Sequence, residues 1–371
     1  MADAAFQADW FSKPGDTLSA LMARRALSAG MVAERMGCDT SLVHGLLAGT
    51  AAIDEDIAAL LAASVGGSVS FWKARQSQFE RMLETAATSA PRDEIKAWLK
   101  AIPLKNMADA GWIKKPADTH EATKTTLSFF DVVSPQEWYE RYTSFGNSFS
   151  FRTSPAYESK LGAVAAWLRQ GELQAAMVPC ARWDADTFRS SLEAVRKLTR
   201  AKEPAYFLPR LQSICARAGV AVVIVRAPSG CRASGATRFI SPDKAMIILS
   251  FRHLSDDHFW FTFFHEAGHL LLHGPEHTYV DGDESENTEK ETEADAFSAG
   301  VLIPPERTEA MADLRARSEE IMRFAVSLSI APGIVVGQLQ KMGMLDYKQF
   351  SWLKRRYTWE QIERALDHPK K

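Results

Sequence analysis

Two histidines and a glutamate stand close together in the apolar segment "FTFFHEAGHLLLHG", residues 261–274. Buried segments seldom carry imidazole or carboxylate groups unless those groups are paired or bound to something. Apolar residues recur at helical spacing from Asp257 to His273, with no proline between them, which predicts one helix. On that helix, His265 and His269 lie one turn apart on the same face, with Glu266 beside them. This His-Glu-x-x-His pattern is typical of a Zn²⁺ site whose glutamate acts as general base.

A catalytic zinc site needs a third protein ligand, because zinc takes three such ligands and keeps a fourth position for water. A third histidine in the pattern HExxHxxGxxH is excluded, since Leu272 and Pro275 stand where glycine and histidine are required. The next candidate is a carboxylate from the following segment, "NTEKETEADAFSAGVLIPP", which lies beyond an acidic loop at residues 281–288. One face of a helix there carries Glu291, Ala294, Asp295, Ser298 and Leu302.

We therefore predict Glu291 as the third metal ligand and Asp295 as the acceptor for the outer N–H of a liganding histidine. Glu293 falls on a different face of the same helix. The neighbouring histidines, which are predicted to be solvated or capping groups, are His253, His258, His273 and His277. The residue that would stabilise an oxyanion is left open between Tyr279 and His277.

The composition indicates a globular protein with enough material for two or three cores, because its 371 residues are 46% hydrophobic and 24% charged. The four cysteines are scattered without a Cys-x-x-Cys pair, so neither a disulfide framework nor a zinc–cysteine site is predicted. No apolar run has membrane length, and the first residues lack a signal-peptide pattern. We expect a cytoplasmic protein that does not associate with membranes. The net charge of -2 gives no overall attraction to nucleic acid.

The segment "MVAERMGCDTSLVHGLLAG" predicts two helices joined by a tight turn at Gly37, with a cap at Asp39 or Thr40 and an end at Gly49. With "GDTLSALMARRALS" before it and "FWKARQSQFE" after it, this segment resembles the repressor-like helix-turn-helix domains of HigA-type antitoxins. The resemblance implies DNA binding. It places base-facing positions at Thr40, Ser41 and His44 on a recognition helix at residues 40–48.

The charges around this helix pair are unfavourable for DNA, since no lysine or arginine stands between Arg35 and Lys73. The basic residues that could contact phosphates are Arg24, Arg25, Arg35, Lys73 and Arg75. The alternative function of the domain is dimerisation, which would make the protein a homodimer, or docking to a partner protein.

We divide the chain into a helix-turn-helix domain (1–88), a helical connector (89–200), a peptidase core (201–310) and a C-terminal helical region (311–371). The runs "AVVIVRA" and "AMIILSF" predict two strands, with "GATRFISPDK" leading into the second as a hairpin. One strand of this small sheet is expected to border the metal, where a peptide could add as a further strand. The fold class predicted is therefore α+β and mostly helical.

Two residue sets outside the metal motif also have alternatives. Aromatic residues at helical spacing in the connector predict core positions rather than a ligand cage: these are Trp98, Trp112, Trp138 and Trp167. The C-terminal region is basic, which predicts a solvated face, with binding of nucleic acid or an acidic partner as the alternative. Its basic residues are Lys341, Lys348, Lys354, Arg355, Arg356, Arg364, Lys370 and Lys371.

The Glu-x-x-x-Asp spacing after HExxH resembles that of the gluzincin metallopeptidases. The segments "SGATRFI", "FWFTFFHEAGHLLLH", "ETEADAFSAGVLIP" and "SIAPGIVVGQLQKMG" resemble successive motifs of the ImmA/IrrE metallo-endopeptidases, in which a helix-turn-helix can precede the peptidase. This resemblance implies a zinc endopeptidase that cleaves a repressor or antitoxin, or itself, in bacterial stress, phage or toxin–antitoxin regulation. The alternative is a transcriptional regulator or antitoxin without proteolytic activity, whose metal domain is sensory or structural.

Overall fold

The computed structural model of the protein describes residues 12–25, 27–143, 155–274, 278–280 and 288–367. These residues are mostly helical and contain one small sheet, so the predicted α+β class is confirmed. The chain divides into two compact units, the first formed by residues 1–144 and 153–169 and the second by residues 145–152 and 170–371. His277 and residues 281–287 of the predicted acidic loop lie outside the described residues.

The first unit is built of helices. They are α1 (Pro14–Arg24), α2 (Ala29–Met36), α3 (Thr40–Ala48), α4 (Glu55–Val65), α5 (Val69–Ser89), α6 (Arg92–Ala101), α7 (Leu104–Asp109), α8 (Thr119–Phe130), α9 (Pro135–Thr143) and the first part of α10 (Pro155–Met177). A hydrophobic core that includes Leu18, Val32, Leu61 and Trp72 joins its first five helices.

Local signals in the sequence set the ends of α2 and α3. Gly37 ends α2 with a φ of 64°, a left-handed conformation that glycine adopts without steric cost. The Asp39 side chain accepts a hydrogen bond from the backbone N–H of Ser41 and caps α3, which ends at the left-handed Gly49. The predicted turn, cap and end of this helix pair are therefore confirmed.

The connector tryptophans are core residues, as their spacing predicted. Trp98, Trp138 and Trp167 are fully buried, and Trp112 is half-buried. Trp98 and Trp138 meet edge to face, with ring centroids 6.3 Å apart.

The second unit contains the end of α10, further helices and the sheet. Its helices are α11 (Ala185–Leu198), α12 (Pro204–Ala216), α13 (Asp256–Leu272), α14 (Thr288–Leu302), α15 (Thr308–Ala312), α16 (Ser318–Leu328), α17 (Pro332–Lys341) and α18 (Trp359–Asp367), with 3₁₀ turns at Pro305–Arg307 and Ser351–Leu353. Within the described ranges no single helix could cross a membrane; α16 and α17 meet the length and composition test only when taken together, and they are bent by 111°.

The sheet has four strands in the order β1-β3-β2-β4: β1 (Val220–Ile224), β2 (Gly235–Ser241), β3 (Lys244–Leu249) and β4 (Tyr279–Val280). β1 and β3 are parallel, whereas β2 and β3 form the predicted antiparallel hairpin. β4 pairs antiparallel with the start of β2, through Ala236 and Thr237. One face of the sheet packs on α13, and the two share a hydrophobic core. The buried side chains of α13 in this core include Phe259, Trp260 and Phe263.

The start of α13 is held by a stretch near the C-terminus. Asp256 accepts hydrogen bonds from the backbone N–H groups of Asp257 and Arg355. Asp257 forms an ion pair with Lys354, 2.6 Å long, in which both side chains are less than 10% exposed. Gly333 and Gly337 of α17 leave the space for these carboxylates, since a Cβ at Gly333 would lie 2.6 Å from an oxygen of Asp256.

The solvated positions predicted for the C-terminal basic residues are confirmed for Lys341, Lys348, Arg356 and Arg364, which are exposed, and are wrong for Lys354 and Arg355; Lys370 and Lys371 lie outside the described residues. Lys354 is buried against Asp257, and Arg355 donates hydrogen bonds to the backbone oxygens of Thr199 and Ala201. Lys341 pairs with Asp295, 2.7 Å away. α13 and α14 thus present carboxylates to Lys354 and Lys341, whereas the Arg355 guanidinium binds backbone oxygens.

The neighbouring aspartates at the start of α13 predict opposite effects of pH on stability. Burial, followed by the nearby charge of Asp257, raises the pKa of Asp256 to about 6. Its ionisation therefore disfavours the folded state, and this cost is absent below the unfolded pKa and grows as pH rises through 6. We expect Asp256→Asn to stabilise the protein, by about 1 kcal/mol more at pH 8 than at pH 5. Urea unfolding at the two pH values measures this difference.

Asp257→Asn is the matched control. Burial opposes ionisation of Asp257, but hydrogen bonds from Lys354 and Ser255 outweigh it and lower the pKa. The Asp257 carboxylate thus stabilises the fold above its unfolded pKa, and removing it leaves Lys354 buried without its anion, which costs about 3–5 kcal/mol at neutral pH. The same pH trend for both variants would contradict the assignment.

Candidate metal centre

Three predicted ligand residues come together between α13 and α14. His265 Nε2 and His269 Nε2 are 3.0 Å apart, and the Glu291 carboxylate lies 3.1 Å from the first and 3.4 Å from the second. Each residue offers one ligand atom, and these atoms all lie within 4.8 Å of one another. Because three donors converge on one point, the arrangement is a possible metal site.

The spacing of these atoms fits a tetrahedral ion. Nitrogen and oxygen ligands bind zinc at about 2.0–2.2 Å, so two of them at a tetrahedral angle stand about 3.3–3.6 Å apart. The separation of 3.4 Å lies within that range and those of 3.0 and 3.1 Å are slightly shorter; Glu291 contacts His265 through Oε2 and His269 through Oε1. The histidine side chains are 5% and 1% exposed, whereas that of Glu291 is 36% exposed, so the site is open on the glutamate side.

Small residues allow α14 to approach α13 closely enough for this convergence. A Cβ at Gly268 would lie 3.1 Å from the ring of Phe297 and 3.3 Å from Cα of Ala294, so a larger residue would push the helices apart. The hydroxyl of Ser298, which is fully buried, donates to the backbone oxygen of Phe261, 2.9 Å away. The face of α14 proposed from the sequence is thus the one that meets α13.

The protonation states of the site suit metal binding. Burial of Glu291 opposes ionisation, but hydrogen bonds from His265 and His269 outweigh it and lower the pKa of this carboxyl to about 2. Burial lowers the pKa of His269, which favours its neutral form. An ionised carboxylate and a neutral imidazole are the forms that coordinate a metal ion.

Asp295 lies where it can orient His265. Its Oδ1 is 2.9 Å from His265 Nδ1, the ring nitrogen that faces away from the other two ligand residues. Its Oδ2 accepts a hydrogen bond from Lys341 Nζ, 2.7 Å away. Burial opposes ionisation of Asp295, but the hydrogen bonds from His265 and Lys341 lower its pKa. The sequence singled out Asp295 but placed Lys341 on a solvated face.

A second contact chain runs from His269 through His273 to Glu293, beside the first one from His265 to Asp295. It was not predicted from the sequence. His273 Nδ1 lies 2.9 Å from His269 Nδ1, and His273 Nε2 lies 2.9 Å from Glu293 Oε2. His273 is the C-cap residue of α13, so the capping alternative is confirmed, whereas the solvated alternative is wrong because its side chain is 4% exposed. The available signal was the four-residue spacing of His265, His269 and His273, which places all three on one helical face.

Of the two candidates for oxyanion stabilisation, Tyr279 lies within the described residues. Its ring packs flat against the candidate metal site. Its ring stacks on that of His269, with centroids 4.2 Å apart and planes 10° apart. Its hydroxyl accepts a hydrogen bond from Lys290. In this position the ring covers one side of a ligand imidazole.

Glu266 is fully buried and lies against the first residue of β2. A Cβ at Gly235 would lie 2.7 Å from Glu266 Oε1 and 2.6 Å from a methyl carbon of Thr262. The strand that borders the HExxH helix at this carboxylate is therefore β2, and Gly235 leaves the space that the glutamate occupies. The sequence contained this glycine in "SGATRFI" but gave no reason to link it to Glu266.

The residues proposed for DNA contact lie in the first unit. Ser41 is exposed at the start of α3, and Thr40 and His44 are half-buried. Arg24 is exposed, whereas the guanidinium of Arg25 lies against Gly66 and that of Arg35 donates to the backbone oxygen of Ser64. Two further cations are engaged: Lys73 pairs with Glu55, and Arg75 bonds Ser12 and Thr17.

Comparison with known proteins identifies one family. Residues 217–332 match the Peptidase_M78 family model, described as the IrrE N-terminal-like domain. No curated protein and no solved structure matches the chain. The matched segment contains the four strands, α13 and α14, and therefore all of the predicted metal ligands. The match supports the ImmA/IrrE resemblance and a metallopeptidase type of function for this segment.

The contact between Gly235 and Glu266 predicts the effect of a single methyl group. We expect Gly235→Ala to destabilise the protein by about 1–3 kcal/mol, because the added carbon overlaps Glu266 and Thr262 in a filled interior. Urea unfolding measures the change. Gly300→Ala is the matched control: a Cβ there meets nothing within 4 Å, so it should stabilise α14 by about 0.5–1 kcal/mol. Equal effects of the two substitutions would contradict the packing described.

Proposed function

We propose that the protein is a zinc-dependent endopeptidase that cleaves a repressor or antitoxin type of protein. The observation that carries the proposal is the convergence of His265, His269 and Glu291 at α13, which carries the buried Glu266 directly after His265. The match of residues 217–332 to a peptidase family model supports the same conclusion from sequence. Both observations support a hydrolytic function for the part of the chain that matches the peptidase model.

The donor set favours zinc over other common ions. Two imidazoles and one carboxylate suit Zn²⁺, whereas Mg²⁺ and Ca²⁺ prefer oxygen ligands throughout. Three protein ligands are typical of a catalytic zinc site, which keeps one position for water or substrate, and structural zinc sites commonly have four. His265 Nε2, His269 Nε2 and a Glu291 oxygen are the atoms that would hold the ion.

The chain's own residues account for the proton transfers of peptide hydrolysis. When bound, Zn²⁺ supplies a Lewis acid that makes water more acidic and polarises a carbonyl group. Glu266, next to the first histidine, accepts a proton from the attacking water and returns it to the leaving amine. The missing side chain of Gly235 leaves the space that this carboxylate occupies. Asp295 orients His265 through its outer nitrogen.

An extended polypeptide segment is the substrate form that fits the sheet. β2 begins at Gly235, beside Glu266, and its outer edge there pairs with the two residues of β4. An extended segment in antiparallel orientation would pair with this edge of β2 by taking the place of β4, as in peptide binding by strand addition. A segment of a repressor or antitoxin would bind at this edge and present one peptide bond to Glu266.

The peptidase assignment is tested by Glu266→Gln. This change keeps the size of the side chain but removes the base, so cleavage should fall at least 100-fold while one zinc ion per chain is retained. The measurement is cleavage of repressor-type proteins encoded beside this protein, with and without a chelator, together with zinc content.

Glu289→Gln is the matched control on α14, since Glu289 is exposed and outside the ligand set; it should cleave at the wild-type rate. Wild-type cleavage by the Glu266 variant would refute the mechanism. Zinc binding by a wild-type protein that cleaves none of these proteins would favour the sensory or structural alternative.

The second candidate function is DNA binding by the first unit. It is favoured by the exposed start of α3, where Ser41 and the first turn are accessible after a tight turn at Gly37. The engagement of Arg35, Lys73 and Arg75 with other residues leaves few cations for phosphates. Any DNA complex should therefore depend only weakly on salt concentration.

If the first unit binds DNA, the protein should slow the migration of a DNA fragment taken from upstream of its own gene. Ser41→Glu should abolish this retardation, because it places a carboxylate against the DNA. An electrophoretic mobility assay at two salt concentrations measures both effects. Leu60→Glu, on an exposed position of α4, serves as the control for an added charge in the same unit. Failure to retard the fragment at micromolar protein would favour dimerisation or partner docking.

A further inference from the structure

His273 follows the last residue of α13 and has no part in the catalytic steps above. Its ring bridges two groups, with Nδ1 at 2.9 Å from His269 Nδ1 and Nε2 at 2.9 Å from Glu293 Oε2. A polar side chain that is 4% exposed and contacts a proposed metal ligand calls for a physical role.

The hydrogen bonds can be assigned from His269 outward. His269 Nε2 faces His265 and Glu291, so this nitrogen is the one that would bind the ion, and Nδ1 must then carry the proton. Nδ1–H of His269 donates to His273 Nδ1, which therefore accepts through its lone pair. His273 is left with its proton on Nε2 and donates it to the carboxylate of Glu293.

We propose that His273 is a positioning residue for the metal ligand His269, and that Glu293 fixes its tautomer. This inference rests on the proposed metal site. A ligand imidazole whose outer N–H is held by an acceptor keeps its ring orientation and becomes a better donor to the metal. His273 supplies that acceptor for His269, in the way that Asp295 supplies it for His265.

The two contact chains differ in how they end. The chain from His265 reaches a carboxylate directly, and Lys341 neutralises it. The chain from His269 passes through a second imidazole before it reaches a carboxylate. Both carboxylates, Glu293 and Asp295, follow Glu291 on α14. One helix thus supplies a ligand and the acceptor at the end of each chain.

The competing explanation is that His273 only fills space at the end of α13. Its ring lies 5.5 Å from that of Tyr279, which itself covers His269, so packing could account for its burial. A packing role would be kept by an aromatic ring without nitrogen. A positioning role requires an acceptor at the place of Nδ1.

Three variants of the full-length protein separate the two explanations. His273→Phe keeps an aromatic ring and removes the acceptor, whereas His273→Asn keeps an acceptor at the position of Nδ1. Glu293→Gln keeps an acceptor for Nε2–H but removes the charge. The zinc dissociation constant and the zinc release rate are measured by competition with a chromogenic chelator. Unfolding of the metal-free protein in urea reports any change in the fold.

We expect His273→Phe to weaken zinc binding 10- to 100-fold, the usual effect of losing such a partner, with faster release. His273→Asn should recover most of that loss, and Glu293→Gln should weaken binding less than His273→Phe. Glu289→Gln should match the wild type. In the zinc-loaded protein, the ¹⁵N spectrum should show the proton of His273 on Nε2.

A zinc affinity of His273→Phe within twofold of the wild type would overturn the inference, as would a proton on Nδ1 of His273. If His273→Phe does not fold, an unchanged affinity in Glu293→Gln together with that tautomer overturns it. None of these results would contradict the endopeptidase proposal, because zinc binding by the wild-type protein is measured separately. A wild-type protein that binds no zinc would contradict the proposed function itself.

Discussion

The close approach of α14 to α13 is the constraint on which the metal site depends. A Cβ at Gly268 would be in tight contact with Phe297 and Ala294 across the helix interface, at 3.1–3.3 Å. At this distance Glu291 reaches both histidine nitrogens, and a wider spacing would leave two imidazoles without the anion that lowers the cost of holding them together. The Ser298 hydrogen bond to α13 fixes the same interface further along.

The polar groups around this interface form an ordered shell rather than a set of isolated contacts. Three acidic residues of α14 make these contacts. Glu291 and Asp295 contact His265, and Glu293 contacts His273. Lys341 joins α17 to this shell, and Lys354 joins the C-terminal stretch to the start of α13. Because these contacts come from segments far apart in sequence, the folded C-terminal helices stabilise the two helices that carry the site.

Much of this arrangement could be predicted because it depends on local periodicity. The HExxH helix, the face of α14 and the β2–β3 hairpin follow from spacing within single segments. The roles of His273, Lys341 and Gly235 could not be predicted, since each depends on which group a distant segment brings near. The position of His273 at the end of α13 could be predicted, but its contact with Glu293 could not, and the exposed Lys341 gave no sign of its ion pair with Asp295.

The central claim is that His265, His269 and Glu291 bind one zinc ion. Diffraction at the zinc absorption edge, from crystals of the zinc-loaded protein, tests it most directly. The account predicts one anomalous peak about 2.0–2.2 Å from His265 Nε2, His269 Nε2 and an oxygen of Glu291. A zinc peak bound elsewhere, or one at the histidines with Glu291 turned away and no other carboxylate in its place, would contradict the account.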